Sequence, residues 1–277
     1  MMTRHPIPAL FTGAILGATC LAPPAHSASS LLDQTFVFRQ GLSGYTGTDD
    51  TSIFSENQNA GGGNDGIFSG TTQQLRHRRG LIRFDLGSVP PEGTVISVSL
   101  QMVVERSGGN FGNFPVDLHF VTTSWGEGDT IGDLEGGFGG TPAVGDATWI
   151  SNHHGVSEWD SPGSDFVATP SASEPAGQTG DVVIWSGLGM ASDVQGWISN
   201  PGSNFGWAVV SGIEGEVQRV KKFYSSEATQ FRPELTVVVR TGNPEDLPFG
   251  FGTVVLPLTI LLGAAGYHLA GRLKLWA

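Results

Sequence analysis

Cysteine is almost missing from this chain: Cys20 is the only one in 277 residues. A disulfide framework is excluded, and so is a zinc site built on paired cysteines. Positive charge is scarce as well, with 14 Lys and Arg against 26 Asp and Glu. Between residues 28 and 246 the balance is eleven against 26, a net −15. That deficit argues against nucleic acid and anionic membrane surfaces as partners. Long apolar runs are missing from the body of the chain and occur only at its ends. Neither a G-x-S-x-G nor an H-E-x-x-H pattern is present, so the common hydrolase and metalloprotease signatures are lacking.

What the two ends contain points to export. Arg4 and His5 precede an apolar stretch from Ala9 to Ala22, and Ala25-His26-Ser27 offers a small-x-small cleavage site. This is the form of a secretory signal peptide over residues 1–27. An N-terminal anchor and lipidation at Cys20 are the alternatives; the stretch is short for a span, and residues 16–19 fit a lipidation box poorly. At the other end, Leu247 to Gly271 holds no Asp, Glu, Lys or Arg, and Arg272 and Lys274 follow it. About 20 apolar residues cross a bilayer core, and basic residues stay on the cytoplasmic side. The expected organisation is therefore a linker at 241–248, a transmembrane or sorting helix at 249–271 and a basic cytoplasmic tail at 272–277.

The body, residues 33–240, is long enough for one sizeable core. Its many glycines and few charges point to short strands and turns. Strands are expected at Thr35 to Arg39, Thr51 to Phe54 and Gly80 to Leu86. Ile96, Val98, Leu100, Met102 and Val104 alternate with wetter positions, as do Val116, Leu118 and Phe120. Joined by a Gly-rich turn, these two runs read as an antiparallel hairpin. Further strands are expected at Asp181 to Trp185, Phe205 to Ser211, Arg219 to Tyr224 and Glu234 to Arg240. Residues 56–70 read as a Gly/Asn-rich loop and 126–180 as a long loop excursion. The one helix is expected over Leu188 to Ser199, with Met190, Val194, Trp197 and Ile198 on its apolar face. The fold class is all-β: a jelly-roll-like β-sandwich with one short helix.

Four stretches, 79–102, 121–130, 193–210 and 221–239, together resemble the DNRLRE domain family of disaggregatase-related, carbohydrate-binding-module-like proteins. GDATW at 145–149 and WDSPGSDF at 159–166 fit a common variant. The resemblance covers roughly 33–240 and implies a β-sandwich and extracellular polysaccharide binding. The tail resembles bacterial sorting signals of the PEP-CTERM type, which implies a sorting protease as a partner. Its motif reads Asn243-Pro244-Glu245-Asp246 rather than Pro-Glu-Pro, so a permanent membrane anchor is the equal alternative.

Candidate chemistry follows from residue types. Calcium is the candidate cofactor, because hard cations take oxygen ligands from Asp, Asn and backbone carbonyls. Asp49, Asp50, Asn64 and Asp65 flank the glycine loop, and residues 126–135 form a second acidic loop without EF-hand spacing. Trp149 and Trp159 in the irregular region are candidates to stack on a sugar ring or to anchor the loop. Arg76 and Arg78, with Lys221 and Lys222, form one positive strip if their strands are neighbours, suited to an acidic glycan; ion pairs to the many acids, Glu227 among them, are the alternative. Paired acids such as Glu127 and Asp129 are too loosely placed to indicate glycoside hydrolysis. The expected function is non-catalytic binding of polysaccharide by an exported, membrane-anchored protein. A structural surface protein acting through protein contacts is the rival reading, and a polysaccharide lyase or hydrolase the weaker one.

Overall fold

The structure is a computed structural model that describes residues 32–108, 112–132 and 137–242. The expected leader, transmembrane helix and basic tail lie outside the described residues. Among the described residues no helix is long and apolar enough to cross a membrane.

The described chain is all-β, with one α-helix. The strands are β1 (Leu32–Phe38), β2 (Thr48–Phe54), β3 (Gly66–Thr71), β4 (His77–Phe84), β5 (Thr94–Ser107), β6 (Phe114–Phe120), β7 (Ala172–Ala176), β8 (Val182–Ser186), β9 (Trp207–Ser211), β10 (Arg219–Tyr224) and β11 (Glu234–Thr241). Helix α1 runs from Leu188 to Ser199 between β8 and β9. The strands form one curled sheet in the order β1-β11-β5-β10-β3-β4-β9-β6-β7, with β2 beside β4 and β8 beside β5. Every pairing between these strands is antiparallel. The long strand β5 is the hinge of this sandwich-like arrangement: it pairs with β11 and β8 along one part and with β10 near its end.

Alternation builds the main core. Val98, Leu100, Met102 and Val104 point inward from β5 and meet Trp185, Trp207 and Phe223. Helix α1 closes this core with Met190, Val194, Trp197 and Ile198, the face that its 3.6-residue periodicity predicts. Trp197 packs edge-on against Trp207 at 4.6 Å between ring centres. A second apolar cluster covers the other side of β4 and β9. Leu81, Ala208 and Val210 meet Val121, Trp125, Ala147 and Trp159 of the segment that follows β6. Strands β4 and β9 thus carry buried apolar side chains on both faces, Ile82 and Val209 toward the main core and Leu81 and Ala208 toward the second cluster, and β9 reads as the continuous apolar run Trp-Ala-Val-Val.

Three expectations are corrected. Strands β5 and β6 do not form a hairpin; β5 pairs with β8, β10 and β11, and β6 with β7 and β9. Alternation shows that each strand has a buried face, but not which neighbour lies beside it. The Gly/Asn-rich loop contains β3, inserted between β4 and β10. Gly70 there has φ 128, and a Cβ on it would lie 1.7 Å from the Arg219 carbonyl oxygen, so the close approach of β3 to β10 requires glycine. The long excursion contains β7, Ala-Ser-Glu-Pro-Ala, whose proline is tolerated because β7 is a sheet edge.

Candidate functional site

A β-bulge borders a groove beside β5 and β10. Phe223 of β10 faces Val104 of β5, but Lys222 faces Arg106, so one extra β5 residue is accommodated there. The bulge turns Arg106 to the same side as Glu105 and Lys222. A cavity of about 490 Å³ opens on that side. Phe68 and Val220 supply its apolar surface, and Arg78 and Lys222 line its wall. Thr72, Gln73, Arg106 and Gln218 also line it. Gln73 and Arg106 are exposed. Apolar patches beside planar amide and guanidinium groups form a surface that can both shield a C–H face and hydrogen-bond to hydroxyls.

The two wall cations are structural. Arg78 is 2 % exposed. Its guanidinium forms a bidentate pair with Glu56 and donates to the Gly137 carbonyl at 3.2 Å. The Lys222 ammonium lies 2.7 Å from Asp65 and 2.8 Å from Glu105. Both cations are buried while their carboxylate partners reach solvent to different degrees, Asp65 most of all, so each pair neutralises a buried positive charge inside the domain.

The expected positive strip is therefore corrected. Lys221 and Lys222 are neighbours on a strand and point to opposite faces. Lys221 donates to Ser107 Oγ and the Gly177 carbonyl and sits over the Phe114 ring at 4.6 Å. Burial holds its ammonium below the usual lysine range. Arg76 is exposed in the turn before β4. Ion pairing is the arrangement found, but with Glu56, Glu105 and Asp65, whereas Glu227 accepts from Ser226 Oγ.

The four expected calcium ligands also part company. Asp49 and Asp50 project from opposite faces of β2. Asp49 pairs with Arg83 at 2.5 Å, and Asp65 with Lys222. Asn64 Oδ1 accepts from the Gly132 backbone N–H at 2.9 Å. The two loops thus meet, through the Asn64 side chain and through backbone, where Gly63 N–H donates to the Thr130 carbonyl. Among the described residues no group of three or more His, Cys, Asp or Glu side chains is arranged to hold a metal ion.

Asp50 gathers with acids that are remote in sequence. It is 1 % exposed and accepts from the Ser226 backbone N–H at 2.8 Å. Glu127 caps the β2 edge by accepting from the Asp50 N–H at 2.7 Å. Burial, then the charge of Glu227, push the Asp50 carboxyl well above the usual range. Burial pushes Glu127 to about 8, with Asp49 and Glu227 adding to the rise. Raised carboxyl pairs occur in glycosidases, but Asp50 is sealed from solvent and both acids hold backbone. No spacing signal marks this group, because its members come from three separate segments.

The tryptophans split. Trp159 is 5 % exposed, and its Nε1 donates to the Thr148 carbonyl at 2.8 Å. It anchors the excursion and has no free face for a sugar. Trp149 is half-buried, with His77 stacked at 6.1 Å and the Arg79 guanidinium at 4.8 Å. Arg79 is itself held by Glu214 at 2.6 Å.

No family model and no curated protein matches this chain.

Proposed function

We propose that this protein is a non-catalytic polysaccharide-binding module. In this reading residues 1–27 direct export, and 249–271 hold the domain at a membrane, either permanently or until a sorting protease acts. The sandwich is read as jelly-roll-like from its many short strands, and the resemblance to DNRLRE domains implies a β-sandwich. The observation that supports binding is the groove beside the β5 bulge, where Phe68 and Val220 adjoin the Gln73, Gln218 and Arg106 side chains. Such groups recognise hydroxyls by hydrogen bonds rather than by net charge. Because Arg78 and Lys222 are already paired within the protein, the glycan is held mainly without ion pairing.

A sedimentation assay with cellulose, chitin, xylan, alginate and pectate tests this. At least one polymer should retain the protein, with affinity changing little as salt rises, and its chain length should be unchanged after incubation. Failure to bind any of the five overturns the proposal. Binding that collapses with salt overturns the uncharged mode of recognition, and shortened chains would make the protein an enzyme.

A further inference from the structure

A second groove, of about 440 Å³, lies on the same strand as the first. Gln101 and Val103 of β5 line it, together with Gln40, Gln230 and Phe231. Its remaining charged groups are internally held. Arg39 pairs with Glu234 at 3.0 Å. Arg232 donates to the Ala228 carbonyl at 2.6 Å and to the Gln40 carbonyl at 3.0 Å. Phe231 is 55 % exposed and has φ 55, a left-handed conformation that bulky side chains avoid. Ser43, also lining the groove, has φ 52. The fold thus holds an aromatic ring in solvent, on strained backbone, beside three glutamines. Such strain concentrates at ligand sites.

Strand parity connects this groove to the first. Met102 and Val104 point into the core, so Gln101 and Val103 face outward. Uninterrupted alternation would send Arg106 inward. The bulge restores it to the outer side, where it lies opposite Lys222. Strand β5 therefore carries Gln101 and Val103 of one groove and Arg106 and Gly108 of the other along a single outer face. At about 3.3 Å per residue, Gln101 to Gly108 spans about 23 Å. Tyr224 of β10, on the same face as Lys222, has its ring centre 5.3 Å from that of Phe231.

We infer that the two grooves are the halves of one track for an oligosaccharide chain, running from Phe231 past Val103 to Arg106. This rests on the polysaccharide reading above and deepens it. The apolar C–H face of a sugar ring lies on Phe231, and Gln101 and Gln230 each offer an amide donor and acceptor to neighbouring hydroxyls. At the far end the side chains of Gln218 and the exposed Arg106 hydrogen-bond to sugar hydroxyls.

The test uses the full-length protein and fragments, from disaccharide to hexasaccharide, of whichever of the five polymers binds. Affinity should rise with fragment length. Phe231→Ala and Arg106→Gln should each weaken hexasaccharide binding, by about three- to tenfold for the lost aromatic contact, and should flatten the gain with length. Phe231→Tyr should retain binding. Phe231→Gly removes the ring and also the left-handed strain, so it should melt no earlier than the parent while binding as poorly as Phe231→Ala; weak binding then reports a lost contact rather than a lost fold. Hexasaccharide affinity unchanged in Phe231→Ala but reduced in Arg106→Gln overturns the track and leaves the first groove as the site. Failure of all five polymers to bind removes the underlying reading and the track with it.

Discussion

Asp50 and Glu127 show how a single contact sets a pH response. Both carboxyls are raised, Glu127 to about 8, whereas in the unfolded chain they titrate near about 4. The folded state thus favours their protonated forms. Their stability contribution is most favourable below the unfolded values and is lost as pH rises from about 4.5 through 8. Melting at pH 8.5 should occur below melting at pH 5. Glu127→Gln keeps an acceptor for the Asp50 N–H and should flatten the fall. A variant with the same fall as the parent would contradict this assignment. The same instrument tests calcium. A rise in melting temperature on adding calcium at pH 8.5, lost in Asp50→Asn, locates a cation among these acids by mass action. Coincident curves with calcium and with chelator remove calcium from the account.

At the scale of elements, the segment between β6 and β7 is anchored rather than loose. Trp159 lies in the second apolar cluster, and Trp149 stands between His77 and Arg79. Trp159→Ala should cost about 3–5 kcal/mol, as full truncation of a buried aromatic does. Trp149→Ala should cost less, because part of its ring is already in water. Equal losses in chemical denaturation would mean that the two anchors are equivalent. Helix α1 and the inward face of β5 were legible in the sequence because their periodicities are local properties. Strand β3 was not, since Gly66, Gly70 and a preceding run of glycines mimic a loop; the need for glycine arises from packing against β10, which is remote in sequence. The Arg78 and Lys222 roles were hidden for a similar reason. Their partners Glu56, Glu105 and Asp65 are assembled only by strand order. The bulge at Arg106 and the exposure of Phe231 leave no signature in composition or spacing, so neither groove was readable in full.

For the whole molecule, one curled sheet separates two tasks. Its inner side holds the main core, while β4 and β9 support a second cluster under the long excursion. The outer side of β5 carries the two grooves, one lined by the exposed Phe231 ring with Gln101 and Gln230 and the other by Gln73, Gln218 and Arg106. The deficit of basic residues fits this division, because the cations of β4 and β10 stabilise the domain internally instead of presenting a charged surface. The most direct measurement of the central claim is a crystal structure of the protein with the tightest-binding hexasaccharide. The account predicts sugar rings along the outer face of β5, one against Phe231 and others beside Val103 and Arg106. Sugar bound instead against Trp149 on the face covered by the long excursion, with the β5 face empty, would contradict it.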